Sequence, residues 1–264
     1  MTCGDVAFAQ NKPKVMAGYF EEWSIYGAGY NVANLQNNHV ADHITHLLYA
    51  FGDVYGPNGA DAQCHLADPW ADYQNAGLPS VSGAPYINWP FGNFGALKQL
   101  KQLHPKLKAL ISLGGASSSN ANGFAVAASS EVGRRSLAAS CIDMLINGNV
   151  GTDWAGNPVS TGSLFDGFDI DWEFPSAADK HNFTLLLLEF RRQLDALAKQ
   201  NKRRYLLTIF APAGRKRIPS GPLTIRLWPG PRPFISICEC PVDSGAPWFG
   251  LSRTTTPTAR WLRP

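Results

Sequence analysis

Five short apolar runs recur along the chain, and each has the length of a buried strand. They lie at 15–20, 46–52, 107–115, 165–174 and 205–211. Near-continuous apolar runs of this kind are typical of parallel strands that are covered on both faces. The stretches between them predict helices at about 95–103, 131–146 and 178–200. Ser176 is suited to cap the last of these helices. Strands that alternate with helices indicate an α/β fold built on a parallel sheet.

The fourth run carries acids on one face and apolar residues on the other. Residues 166–173 read Asp-Gly-Phe-Asp-Ile-Asp-Trp-Glu. Because strand side chains alternate between faces, Asp169, Asp171 and Glu173 should project together. Crowded carboxylates raise the pKa of at least one member of the group. This arrangement is typical of carboxyl groups that transfer protons during catalysis. A metal site is the weaker alternative, because the run lacks the loop of oxygen ligands that calcium requires.

This run resembles the D-G-x-D-x-D-W-E signature of glycoside hydrolase family 18, the chitinases and their relatives. A second motif agrees in order and spacing: residues 112–115, Ser-Leu-Gly-Gly, resemble the family's S-x-G-G on its third barrel strand. On its own this motif would indicate only a turn. The resemblance implies a TIM (β/α)8 barrel, which needs eight βα units. The sequence pattern supplies about five, so we expect an incomplete barrel.

The resemblance also implies a reaction and roles for the three acids. The family hydrolyses β-1,4 linkages between N-acetylglucosamine units of chitin by a retaining mechanism in which the substrate's acetamido oxygen is the nucleophile. Glu173 would be the general acid and then the base. Asp171 would orient the acetamido group, and Asp169 would share a proton with Asp171. No cofactor and no metal are expected.

Residues of the first three strands are implied to bind the substrate. They lie near the carboxyl ends of the strands, where barrel enzymes build their sites. Ser112 is expected to shape the floor beneath the aspartates, since no G-x-S-x-G motif surrounds it. The aromatic members could instead be ordinary barrel-filling or loop-capping residues. The implied substrate-binding residues are Tyr19, Trp23, Phe51, Ser112, Gly114 and Gly115.

The connection between the second and third strands is long and rich in aromatics. Trp70, Tyr73, Tyr86 and Trp89 all lie within it. Loops at this end of a barrel form the substrate cleft, so these rings could stack on sugars. Equally, they could only fasten the loop to the protein.

The pattern changes abruptly after Gly214. The tail from Arg215 is rich in Pro and Arg, and strand and helix periodicity stop there. We therefore divide the chain into a leader or signal-peptide remnant at 1–13, a partial family 18 barrel at 14–214 and a tail at 215–264 that is unlike the family. Because prolines remove hydrogen-bond donors from a sheet, we expect the tail to leave both sheet edges unpaired.

Bulk properties limit the partners. The net charge is +3, and the positive excess lies in the tail, so nucleic acid is a poor candidate. No apolar run is long enough to span a membrane. Ala7-Phe8-Ala9 resembles a signal-peptidase site, although Asp5 interrupts the segment before it. We expect a secreted monomer that binds chitin or chito-oligosaccharides, with a signal peptide that is incomplete or absent in this chain.

The cysteines and histidines give weaker signals. The five cysteines form no zinc-like spacing and no dense disulfide framework, and Cys141 is expected to be a buried free thiol. His39, His43 and His46 could meet on one helical turn, but unrelated surface histidines are the stronger interpretation.

Two alternatives to a chitinase remain open from the sequence. One is a non-catalytic chitin- or glycan-binding relative, because one fold can serve several functions. The family's lectins usually lack the acid that Glu173 supplies here, so its presence favours an enzyme. The other is an inactive chain whose barrel is incomplete.

Overall fold

The computed structural model describes residues 15–56 and 62–211, together with two short strands at 237–238 and 251–253. The predicted leader and most of the predicted tail lie outside these residues. In chain order the parallel strands are β1 (Met16–Glu21), β2 (His46–Tyr55), β4 (Lys108–Gly115), β7 (Gly167–Trp172) and β8 (Leu206–Phe210). All five coincide with the five apolar runs. Additional antiparallel strands are β3 (Gln63–Leu66), β5 (Asn149–Thr152) and β6 (Pro158–Ser160).

The five parallel strands lie side by side in chain order, β1-β2-β4-β7-β8. Successive parallel neighbours of this kind are the building principle of a (β/α)8 barrel. The described sheet therefore supplies five of the eight βα units. Strand β3 folds back on β2, and β5 and β6 form a separate hairpin.

Helices cover one face of the sheet. They are α1 (Ser24–Gly27), α2 (Val32–Asn37), α3 (Gly92–Leu103), α4 (Ser118–Ser129), α5 (Glu131–Cys141) and α6 (Lys180–Asn201). A π-helical turn at Ile142–Ile146 continues α5. The predicted helices at 95–103, 131–146 and 178–200 thus correspond to α3, α5 with its π-helical turn, and α6.

The main core lies between the sheet and these helices. Phe168 of β7 contacts Phe190 of α6 edge to face, with ring centroids 5.4 Å apart. Trp172 stacks on Phe124 of α4 at 5.6 Å. A smaller cluster of Ala17, Leu48 and Leu110 lies on the opposite face. The helices therefore cover the outer face of the sheet. The strand residues that alternate with the outward-facing ones point to the inner face.

Two expectations about the chain are wrong. Strand β9 (Ile237–Cys238) pairs with β8, and β10 (Leu251–Arg253) pairs antiparallel with β1, so the described sheet has partners at both edges. The proline-free stretches of the tail are long enough for these short strands. Cys141 is not a free thiol but is bonded to Cys64, with the two Cα atoms 4.9 Å apart.

The disulfide arises because β3 brings Cys64 beside α5. The Cys64 N–H donates to Ser140 Oγ at 3.1 Å, which fixes the strand against the helix one residue before Cys141. Nothing in the local sequence predicts this pairing, because 77 residues separate the two cysteines.

None of the helices among the described residues combines the length and the apolar character that crossing a membrane requires.

Candidate active site

The acidic column of β7 has the alternation that the sequence predicts. Asp169 is fully buried and Asp171 is 3% exposed, while Glu173 is half-buried just beyond the last residue of the strand. Phe168, Ile170 and Trp172, which alternate with these acids, belong to the core beneath the helices. The strand therefore carries its acids from the interior of the sheet to the rim.

Three hydroxyl groups surround the Asp169 carboxyl. Tyr19 Oη and Ser112 Oγ donate to Oδ2 at 2.7 and 3.0 Å, and Thr208 Oγ1 donates to Oδ1. Strand register explains the arrangement, since Ser112 and Thr208 are the cross-strand partners of Asp169 on either side. Burial raises the pKa of Asp169, and these hydrogen bonds oppose the rise. Asp169 is thus built to hold a negative charge without a cation.

Asp171 lies in a different environment. Its Oδ1 is buried and receives no hydrogen bond from the described residues. Burial, together with the negative charges of Asp169 and Glu173, raises the pKa of Asp171 to about 9. At neutral pH the pair therefore carries a proton, which belongs mainly to Asp171 because Asp169 has the hydroxyl donors.

Glu173 is accessible enough to reach a substrate. Burial raises the pKa of its carboxyl above the ordinary value. The peptide bond that follows Glu173 is cis, as is the bond between Ala50 and Phe51. A carboxyl with a raised pKa at the rim of an acidic column is suited to act as a general acid.

Two glycines bring the neighbouring elements close to this column. Gly114 has φ +117°, and a Cβ there would lie 2.2 Å from the Asp171 carbonyl oxygen. A Cβ on Gly115, at φ +82°, would lie 2.9 Å from the Phe51 ring. Both positions therefore require glycine. Gly114 allows β7 to approach, and Gly115 leaves room for the Phe51 ring.

An aromatic pair forms the rim next to Gly115. The rings of Trp23 and Phe51 are stacked with centroids 5.7 Å apart. Trp23 is 42% exposed, so part of its ring is open to solvent. Of the residues that the sequence implies for substrate binding, Gly114 approaches Asp171, Gly115 approaches Phe51, and Phe51 stacks with Trp23. Tyr19 and Ser112 contact Asp169.

Comparison with known proteins agrees with this geometry. A family model described as "Glycosyl hydrolases family 18" matches residues 15–225. The chain belongs to glycosyl hydrolase family 18. It is 32% identical to chitinase A1 of Niallia circulans over 234 residues, which is 75% of this chain and 30% of that protein. It is 38% identical to chitinase C of Streptomyces lividans over 168 residues, or 62% of this chain and 24% of that one.

A solved structure shows the same fold. The catalytic domain of psychrophilic chitinase B from Arthrobacter TAD20 superposes with a TM-score of 0.66 at 35% identity, covering 75% of this chain and 52% of that one. The chain therefore spans about a quarter to a half of these family 18 relatives. Together with the parallel sheet, this establishes the TIM-barrel fold class with part of the barrel described.

The first acid of the family 18 signature does not join the column. Asp166 lies before the start of β7 and is bound by Lys101 Nζ at 2.7 Å and Arg203 Nη2 at 2.8 Å. Burial alone would raise its pKa, but these cations outweigh burial and the pKa of Asp166 lies below its ordinary value. Asp166 thus fixes the strand at the end opposite to the site.

Sequence reasoning missed Thr208 and the buried acids Glu22 and Asp72. Thr208 could have been found, since the parallel register of β7 and β8 places it beside Asp169. Glu22 and Asp72 are 2% and 0% exposed. No spacing rule in the sequence connects them, because they lie on two separate connections.

The aromatics of the long connection mainly contact one another. Tyr73 packs against Trp89 with centroids 5.7 Å apart, and Trp89 meets Trp154 of the β5–β6 hairpin at 4.9 Å. The Tyr86 hydroxyl donates to the Pro79 and Gly92 carbonyl oxygens. These contacts favour the interpretation in which Tyr73, Tyr86 and Trp89 fasten the loop.

The three histidines do not assemble. His39 lies 3.0 Å from Asp42, whereas His46 begins β2 and contacts Thr45. The described ranges contain no group of three or more potential metal-ligating His, Cys, Asp or Glu side chains.

Proposed function

We propose that this family 18 chain hydrolyses β-1,4 linkages between N-acetylglucosamine units of chitin by a retaining, substrate-assisted mechanism. The observation that carries the proposal is the graded acidic column. It combines a hydroxyl-bound Asp169, a proton-holding Asp171 and a rim carboxyl, Glu173, with a raised pKa. Two relatives are named chitinase A1 and chitinase C, and these names support the same substrate.

In the first step Glu173 donates its proton to the oxygen of the leaving sugar. The acetamido oxygen of the substrate attacks the anomeric carbon, the glycosidic bond breaks, and an oxazolinium ion forms. Asp171 accepts a hydrogen bond from the acetamido N–H, for which its buried Oδ1 lacks another described donor. As the positive charge develops, the proton of Asp171 moves to Asp169, so the pair keeps one proton and Asp171 becomes negatively charged.

In the second step the Glu173 carboxylate removes a proton from water. The resulting hydroxyl attacks the anomeric carbon and opens the oxazolinium ring, so two inversions give net retention. Asp171 stabilises the cation with its negative charge. The stacked pair of Trp23 and Phe51 supplies an apolar surface for a sugar ring beside the reacting bond.

The test is product analysis on a soluble chitin pentasaccharide by proton NMR. The initial product should be the β-anomer, as retention requires, and Glu173→Gln should release product at least about 10²-fold more slowly. An initial α-anomer, or product release by Glu173→Gln at a rate close to that of the unsubstituted chain, would contradict the mechanism.

A non-catalytic binding protein is the second candidate, and the exposed Trp23 is the observation that favours it. Such a protein would bind the pentasaccharide and leave it intact. If the unsubstituted chain binds the pentasaccharide without forming products, the binding protein is the correct interpretation. If it shows no binding and no products, the chain is inactive.

We also propose secretion and a monomeric state. The Cys64–Cys141 disulfide supports the first, because such bonds persist in oxidising compartments. Size-exclusion chromatography with light scattering tests the second.

A further inference from the structure

A second pair of buried acids lies behind the aromatic rim. Glu22 directly follows β1, and Asp72 belongs to the π-helical turn at Trp70–Gln74 that precedes α3. Their exposed fractions are 2% and 0%. The two carboxyl groups are close enough to act on each other, although 50 positions separate them in the numbering.

Each carboxyl has a donor for one of its oxygens. Tyr49 Oη donates to Asp72 Oδ1 at 2.6 Å, and the Phe51 backbone N–H donates to the Glu22 carboxyl. Glu22 Oε2 and Asp72 Oδ2 are buried and receive no donor from the described residues. Ionised carboxylates can only accept hydrogen bonds. A hydrogen bond between these two therefore requires a proton on one of them.

The charged surroundings favour that proton. The charged groups that act on the pair are themselves acids: Asp68 near both carboxyls and Asp53 near Asp72. The Tyr26 hydroxyl donates to Asp68 rather than to the pair. Burial, followed by the charge of Asp72, raises the pKa of Glu22, and burial raises that of Asp72.

We propose that Glu22 and Asp72 hold one proton between them at neutral pH and act together as a positioning pair for Phe51. Glu22 binds the Phe51 amide, and its neighbour Trp23 stacks on the Phe51 ring. When the pair holds its proton, Glu22 contacts both Phe51 and Asp72. It thereby holds the first loop against the middle of β2 and against the connection that leads to α3. Only the assignment of Phe51 to a sugar site rests on the proposed function.

The sign of the pH dependence follows from linkage. An acid whose pKa is raised by folding stabilises the protein fully below its unfolded pKa, and this stability is lost as the pH rises through the folded pKa. For Glu22 the loss begins above 4.5 and continues through neutrality. Glu22→Gln replaces the proton with a permanent amide donor to Asp72 and keeps an acceptor for Phe51, so it should remove this dependence.

The experiment measures denaturant unfolding of the full chain from about pH 5 to about pH 8. The unfolding equilibrium constant of the unsubstituted chain should rise relative to that of Glu22→Gln by up to about tenfold per pH unit. Glu131→Gln, at an exposed helix start, is the matched control and should parallel the unsubstituted chain. Parallel curves for the unsubstituted chain and Glu22→Gln would overturn the proposal.

An infrared measurement provides a second, independent readout. At neutral pH the chain should show the carbonyl stretch of a buried protonated carboxyl that Glu22→Gln removes and Glu131→Gln retains. Absence of such a band overturns the proposal even if the pH curves differ.

Glu22→Leu leaves the Phe51 amide without its acceptor and should be destabilised at every pH. Glu22→Gln, which keeps an acceptor, should not show this loss of stability. Neither the unfolding curves nor the infrared band depends on hydrolysis. A chain that shows both expected results but hydrolyses no chitin would therefore contradict the proposed function and leave the role of the Glu22–Asp72 pair intact.

Discussion

Identical carboxyl groups two residues apart on one strand acquire different properties because their neighbours differ. Asp169 receives three hydroxyl donors, whereas Asp171 receives none from the described residues at Oδ1. Glu173, beyond the end of the strand, is only half-buried. The division of labour in the proposed reaction is therefore set by three flanking strands and not by the acidic strand alone.

The first prediction at this scale concerns Glu173. Glu173→Gln keeps the size and most hydrogen bonds of the side chain but cannot donate the proton, so hydrolysis of chitin oligomers should fall by about 10²–10⁴-fold or more. Binding of the oligomer should persist. Turnover of a fluorogenic chitobioside and calorimetric binding measure the two effects, with Glu131→Gln as the control. Turnover close to that of the control would exclude Glu173 as the general acid.

The second prediction concerns Thr208. Thr208→Val preserves shape but removes the donor to Asp169 Oδ1, and loss of a hydrogen bond to an anion raises the pKa of that anion. Carbon-13 NMR titration should show the Asp169 pKa above that of the unsubstituted protein. Because hydrogen bonds to charged groups contribute about 1.5–3 kcal/mol, kcat/KM should fall by roughly tenfold or more. Thr208→Ser keeps the donor and should behave like the unsubstituted protein; an unchanged titration in the valine variant would contradict this role.

Residues that form a local pattern could be predicted from the sequence, and residues that meet only through folding could not. The column of Asp169, Asp171 and Glu173 follows from the two-residue period of a strand. Glu22 and Asp72 meet because two separate connections pack together, which no local period encodes. Thr208 lies between these cases, since its position follows once the strand register is known.

At the scale of elements, apolar periodicity locates those parts whose stability comes from burial. The five parallel strands and α3, α5 and α6 follow it closely. Helix α4 was missed because its sequence, SSNANGFAVAAS, contains many weak helix formers. Its packing explains it: a Cβ on Gly123 would lie 2.0 Å from the Val54 carbonyl oxygen, so the glycine permits close contact with β2.

The third prediction concerns the anchor of β7. Asp166 is 3% exposed and binds Lys101 and Arg203, so Asp166→Ala leaves partly buried cations without their counter-charge. We expect a loss of about 3–5 kcal/mol in the free energy of unfolding. Asp195→Ala removes the surface pair with Arg191 and should cost less than about 1 kcal/mol. Similar losses in the two variants would show that the Asp166 pairs carry no special weight.

The pH dependence of this anchor has the opposite sign to that of the Glu22–Asp72 pair. The folded pKa of Asp166 is lowered, so its stabilisation is present above the unfolded value of 3.8 and is lost as the pH falls through the folded value. Denaturant unfolding at acidic pH should therefore bring the unsubstituted chain and Asp166→Ala closer together in stability.

At the scale of the whole molecule, five parallel strands and their helices form a continuous outer core, which the Cys64–Cys141 bond ties to β3. Barrel enzymes take their catalytic and binding residues from the ends of several strands. The described strands supply the acidic column and the wall formed by Trp23 and Phe51. A sugar held by these residues alone is contacted from one side of a barrel.

The last prediction follows from this one-sided site. Residues 1–264 expressed alone should bind chito-oligosaccharides weakly and turn over a fluorogenic chitobioside slowly, because oriented binding contributes much of an enzyme's rate. A chimera should carry residues 15–211 joined to the later βα units of the Arthrobacter chitinase B domain. It should be at least about 10²-fold faster, which is the scale of the cost of poor positioning. Glu173→Gln in the chimera is the control that assigns this gain to the acidic column described here. Equal turnover by the 264-residue chain and the chimera would show that the residues of this chain suffice for catalysis, and the argument from an incomplete barrel would then be wrong.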